Sequence, residues 1–172
     1  MKKEFVIAVA AIAGIAVVGL SGNFTYVGAK KCQICHRTEV QGRQFPIWEA
    51  SKHAQSFMNL TSPQTIEIAK SMGVDNPAED PSCLKCHAPL SESAAEIKAE
   101  GVTCEVCHGP GSEYKQLSLM QERAEAVKNG LILRGTPEAI KASCLKCHQD
   151  AHGMVFDFPA RWEKIRHRIP GR

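Results

Sequence analysis

Cys32-Gln33-Ile34-Cys35-His36, Cys83-Leu84-Lys85-Cys86-His87, Cys104-Glu105-Val106-Cys107-His108 and Cys144-Leu145-Lys146-Cys147-His148 are four copies of one pattern, C-x-x-C-H. Together they use all eight cysteines of the 172-residue chain. Two thiols three positions apart can each add across a vinyl group on one haem edge. The histidine that follows is then held beneath the ring with a nitrogen toward the iron. A zinc site also uses C-x-x-C pairs, but it does not require a histidine directly after every pair. A disulfide framework needs an even cysteine count and no repeated pentapeptide. A thioredoxin-like motif occurs singly, beside a βαβ pattern that is missing from this sequence. The pattern predicts four haem c groups. Their attachment pairs are Cys32/Cys35, Cys83/Cys86, Cys104/Cys107 and Cys144/Cys147, with His36, His87, His108 and His148 as proximal iron ligands.

The amino terminus points the same way. Lys2 and Lys3 precede an apolar run from Phe5 to Leu20, followed by Ser21, Gly22 and Asn23. A basic start, an apolar stretch and small residues at its exit are the layout of a secretory signal. Residues 1–21 are therefore predicted to be a signal peptide, with an uncleaved membrane anchor as the alternative reading. The run has 16 residues, long for a signal core and short for a membrane span. No cysteine follows it until Cys32, which speaks against a lipoprotein. Haem is attached to C-x-x-C-H beyond the cytoplasmic membrane, so a periplasmic or extracellular location fits both signals.

Residues 22–172 then form one tetrahaem domain of about 150 residues. Only 6% of the chain is aromatic, and haem surfaces are expected to replace much of the usual side-chain core. The predicted fold is mainly α with extensive loops, organised by haems, with little or no sheet. Without haem the chain is not expected to fold. The formal charge is +3, but two propionates per haem would make the loaded protein acidic. Nucleic acid is therefore not an expected partner. Lys30, Lys31, Lys85 and Lys146 are read as propionate partners or solvated surface.

Capping residues outline the helices. Pro46 opens one that carries Trp48, His53 and Phe57 to Leu60. Ser62 and Pro63 open another, stopped at Gly73. Ser91 to Glu100 reads as a short helix ending at Gly101. Ser112 caps a longer one bearing Leu117, Met120, Ala124 and Val127 and closed by Gly130. Thr136-Pro137 leads into the fourth motif, and Pro159 starts a last helix with Trp162, Ile165 and His167.

Four irons offer eight axial positions, and the chain has seven histidines. His53, His152 and His167 lie outside the motifs and are the candidate distal ligands. Exchange of ligands between identical subunits leaves the ratio unchanged, so one haem per chain lacks a histidine. Met120 is the sulfur candidate for such a position. His152 stands four residues beyond His148, too close in sequence to reach the opposite face of the same ring, so it would serve a different haem. His167 has ample chain to return over the ring held by Cys144 and Cys147.

Three stretches carry a family resemblance. They are Tyr26-Val27-Gly28-Ala29-Lys30-Lys31-Cys32, Trp48-Glu49-Ala50-Ser51-Lys52-His53-Ala54 and Gly101-Val102-Thr103-Cys104-Glu105-Val106-Cys107-His108-Gly109-Pro110-Gly111. With the closing Phe156-Asp157-Phe158 and Trp162-Glu163-Lys164-Ile165-Arg166-His167, the chain resembles the cytochrome c-554 family. The resemblance implies a small, mainly α tetrahaem protein with haems in parallel and offset stacked pairs, one of them five-coordinate. It also implies His53 as distal ligand of the haem at Cys104/Cys107 and His167 at Cys144/Cys147. His152 is left for the first or second haem, because the segment between His87 and Cys104 lacks the histidine that the family places there. Similar tetrahaem proteins polymerise into extracellular filaments, in which a distal histidine comes from the neighbouring subunit.

Electron transfer is the function these features imply, with redox proteins as partners and no catalytic residues. The alternative is a filament subunit that conducts electrons along stacked haems through inter-subunit ligation. Third comes an oxidoreductase of small nitrogen or sulfur compounds, for which no cluster of polar residues stands out; Tyr26 and Tyr114 are the only tyrosines.

Overall fold

A computed structural model describes residues 23–149 and 153–167. Short helices follow one another: α1 (Ala29–His36), α2 (Gln44–Glu49), α3 (Ser56–Leu60), α4 (Pro63–Ser71), α5 (Pro81–His87), a 3₁₀ helix (Ala95–Glu100), α6 (Cys104–His108), α7 (Leu117–Gln121), α8 (Arg123–Lys128), α9 (Pro137–Cys144) and α10 (Phe158–Ile165). Among the described residues there is no strand, in line with the mainly α expectation. No helix there is long and apolar enough to cross a membrane. The leader segment 1–21 and His152 lie outside the described residues.

Each C-x-x-C-H motif sits on a helix or its end. α1, α5 and α6 finish on His36, His87 and His108, while α9 delivers Cys144 and the rest of the fourth motif continues as turn. One device starts several of these helices: a capping side chain followed by proline. Ser62 accepts from the Thr65 N–H, Asp80 from Ser82, Thr136 from Ala139 and Asp157 from Ala160. Each such cap stabilises its helix by about 0.5–2 kcal/mol, and proline adds a preset φ in the first turn.

Three predicted helices take another form. The segment from Pro46 to Leu60 is two helices, with His53 in the turn between α2 and α3. The carbonyl of His53 is engaged elsewhere, accepting the Val102 N–H at 3.0 Å, and the Trp48 indole N–H donates to Val102 O at 2.8 Å. Between Ser91 and Gly101 only Ala95–Glu100 winds, as a 3₁₀ helix. Ser112 does not cap a long helix. Its N–H donates to Thr25 O and its Oγ accepts the Thr25 N–H, both at 3.1 Å. Helix starts only at Leu117 and breaks at Glu122, whose φ −105° and ψ 92° are extended.

Few side chains form the core. Of the nine buried apolar residues among the described ones, five are alanines; Phe45, Leu60, Ile97 and Tyr114 are the large ones. Polar ties carry more of the organisation. Glu105, in motif 3, is 2% exposed. Its carboxylate accepts backbone N–H groups from Val27 (3.0 Å), Gly28 (2.8 Å) and Gly111 (2.7 Å). Glu100 adds a bond from the Ala29 N–H at 2.7 Å. Two carboxylates thus collect the free N–H groups at the start of α1, where the helix dipole favours negative charge. The effect is to fasten motif 1 onto motif 3, α1 against α6. Ser56 does the same for the other half. Its hydroxyl lies 2.8 Å from both His53 O and His87 O and accepts the Val102 N–H at 3.0 Å.

Two substitutions test these ties. Glu105→Gln puts an amide NH₂ opposite backbone N–H donors whichever way it turns, so the loaded protein should lose about 1–3 kcal/mol in denaturant unfolding. Glu113→Gln, on an exposed turn, should be neutral. Gly73 and Gly101 both hold positive φ, +79° and +67°, but a Cβ at Gly73 meets nothing within 4 Å. At Gly101 it would strike Ser56 Oγ and lie 2.7 Å from His53 O. Gly73→Ala should therefore cost about 1–2 kcal/mol and Gly101→Ala about 2–4 kcal/mol, read from thermal melts.

Candidate functional site

Among the described residues, two pairs of histidines face one another. The rings of His53 and His148 have centroids 6.1 Å apart, and those of His108 and His167 are 5.9 Å apart. Each pair joins one histidine of a C-x-x-C-H motif to one outside the motifs. Metal–nitrogen bonds of about 2 Å on either side of an iron put two imidazole centroids about 6 Å apart. The donor set therefore fits a haem with two axial histidines. Nowhere among the described residues do three or more His, Cys, Asp or Glu converge on one point, and all eight cysteines are free thiols.

The ring pairing differs from the ligand pairing that the resemblance implies. His53 stands opposite His148 of motif 4, not His108 of motif 3, and His167 stands opposite His108, not His148. Chain path gives the reason. Phe156 stacks on His148 at 4.5 Å and 9°, which pins the start of the last segment against motif 4. α10 then spans eight residues, about 12 Å, and carries His167 away to motif 3. The space opposite His148 is taken by His53, whose turn is tied through Ser56 to motif 2, and Cys147 Sγ lies 3.9 Å from Lys85 O of that motif.

Two of the motif histidines are oriented from behind. His87 Nδ1 meets Ser56 O at 2.9 Å, and His36 Nδ1 meets Gln44 Oε1 at 3.4 Å. A ring whose Nδ1–H is held by an oxygen presents Nε2 as its ligating atom. Burial disfavours the charged form of the His108, His53, His167 and His148 rings. It lowers His108 to about 4, helped by His167, Arg134 and His36. Burial likewise lowers His53, with His148 adding to the effect, and lowers His167 and His148. Neutral imidazoles with available lone pairs result, the form that binds metal.

The thiols form a row. Cys32 and Cys104 share a hydrogen bond that lowers the first and raises the second. Cys147 is pushed up to about 12 by burial and by its hydrogen bond with Cys86. Cys107 lies within electrostatic reach of Cys144 and Cys147. The motifs therefore adjoin in the order 1, 3, 4, 2. Two buried hydroxyls, Ser51 Oγ and Thr103 Oγ1, find no hydrogen-bond partner among the described residues. One is two residues from His53 and the other adjoins Cys104, so the polar edge of a bound group has donors to meet.

Not every predicted residue is drawn in. Met120 is half-buried on α7, which packs on α8. Lys85 and Lys146 are exposed, while Lys30 and Lys31 line a cleft with Ile34 and Glu100. Arg43 and Arg166 border a second cleft, beside His167. Sequence reasoning passed over Glu105, Gln44, Ser56 and Phe156. Glu105 occupies a variable position of its motif and gives no cue there; Asp80-Pro81 ahead of motif 2 is a cap signal of the same kind as Thr136-Pro137.

The family described as "Cytochrome c554 and c-prime" matches residues 31–109, a span that holds the first three motifs. Cytochrome c-554 of Nitrosomonas europaea is 24% identical over 151 residues, covering 78% of this chain and 62% of that protein. The chain thus spans about 62% of the length of that curated relative. No solved structure matches. Both findings support the resemblance carried by the motifs: this chain is similar to the cytochrome c-554 family.

Proposed function

We propose that the chain is an exported tetrahaem cytochrome c that carries electrons between redox proteins. The observation that supports it best is the pair of facing histidine couples, each set beside a motif able to bind haem covalently. Cys32/Cys35, Cys83/Cys86, Cys104/Cys107 and Cys144/Cys147 hold the four groups. His36, His87, His108 and His148 bind from one side, while His53 and His167 bind opposite His148 and His108. When bound, haem c supplies a one-electron ferric/ferrous couple whose potential follows its axial ligands and surroundings.

The chain's part is to align the sites. Neighbouring thiols link the four positions in sequence, from motif 1 to motif 3, on to motif 4 and then to motif 2. The small side-chain core leaves little else to fix their spacing, so the carboxylate and hydroxyl ties of Glu105, Glu100 and Ser56 set it. His152 is the candidate for one of the two remaining axial positions at motifs 1 and 2, and the other stays without histidine. The relative's name, cytochrome c-554, agrees with electron carriage.

Export of the full chain in a host that matures c-type cytochromes tests this. Intact mass should exceed that of the polypeptide by four haems; a lower number contradicts the proposal. His53→Ala and His167→Ala should each convert one low-spin haem to high-spin, and the double variant two. An unchanged spectrum would remove that histidine from the ligand set. Size-exclusion chromatography with electron microscopy separates the carrier from the conductor: a monodisperse species supports the first, and ordered filaments replace it with the second.

A further inference from the structure

Glu105 places a negative charge inside motif 3, between the two thiols that would hold one haem, and its reach extends to motif 1. It accepts the Gly28 N–H at 2.8 Å, and the carbonyl of that same residue lies 3.9 Å from Cys32 Sγ. Both carboxylate oxygens only accept, each from two backbone N–H contacts, which is how an ionised carboxylate binds. Glu100 brings a second carboxylate to the neighbouring Ala29 N–H at 2.7 Å. The ion pairs of the described residues involve neither of them. Nothing comparable stands at the other two motifs: Glu105 is the one fully buried charged side chain among the described residues, and the variable positions of motifs 2 and 4 carry Lys85 and Lys146. Field lines from a buried charge are poorly screened by salt or solvent.

We infer that Glu105, seconded by Glu100, selectively lowers the reduction potentials of the haems at Cys32/Cys35 and Cys104/Cys107, and so biases the row to pass electrons from the motif 1 end toward motif 2. The inference rests on the four-haem reading above. Its physical basis is that a nearby negative charge stabilises the ferric iron, which carries one more positive charge than the ferrous. Because the motifs adjoin in the order 1, 3, 4, 2, the two lowered sites are consecutive and lie at one end.

Spectroelectrochemical titration of the loaded protein is the test, on wild type, Glu105→Gln, Glu100→Gln and the exposed control Glu113→Gln. Intact mass is measured first: fewer than four haems on the wild type would overturn the functional reading itself and leaves a separate signature. Given four haems, two of the four redox components should move to higher potential in Glu105→Gln. The same two should rise by less in Glu100→Gln, and none in Glu113→Gln. Sign separates charge from packing, since a loosened site that admits water favours ferric iron and moves to lower potential. The inference is overturned if no component rises, or if all four rise together. Should Glu105→Gln fail to load four haems, Glu100→Gln decides alone: two rising components support the inference and none overturns it.

Discussion

A single buried carboxylate fixes the relation between the first half of the chain and its centre. Glu105 gathers N–H groups from the entry to α1 and from the loop after α6, so residues 77 apart in sequence are held as one unit. Three backbone donors left without this acceptor would each face the cost of an unmade buried hydrogen bond. Gly28 and Gly111 are the residues that allow the approach. A Cβ at Gly28 would lie 2.9 Å from Glu100 Oε1, and one at Gly111 would lie 3.0 Å from Glu105 Oε1. The spacing of motifs 1 and 3 follows from that clamp, and the adjoining thiols of Cys32 and Cys104 are its direct consequence.

The second half depends on hydrogen bonds of another kind. Ser56 gathers His53, His87 and Val102 around one hydroxyl, and Gly101 supplies the room. That knot stops the helix that the sequence suggests between Pro46 and Leu60, and in doing so turns His53 toward motif 4. Local structure is surrendered to place one imidazole. With Phe45, Leu60, Ile97 and Tyr114 as its large buried apolar side chains, the domain has little conventional core. Polar ties are left to specify much of the position of its elements.

Much of this was legible beforehand, for physical reasons. The thiols and histidine of each C-x-x-C-H motif are contiguous in sequence, so the motifs are visible from spacing alone. Caps such as Ser62-Pro63 and Thr136-Pro137 are local signals and marked their helices well. Distal histidines are different: which ring faces which depends on how remote segments pack. Phe156 stacking on His148 diverts His167 to motif 3, and no local pattern announces that. Glu105 was hidden for the same reason, because its partners are 77 residues away or across a loop. The long helix expected from Ser112 failed because Ser112 bonds to Thr25, a residue far upstream.

The position of each iron would reveal which histidines ligate it. Anomalous diffraction at the iron edge from crystals of the loaded protein locates them without reference to any assumed ligand pairing. Four iron sites should appear, one between His53 and His148 and one between His108 and His167. An iron bridging His53 to His108, or a motif with no iron beside it, would contradict the arrangement.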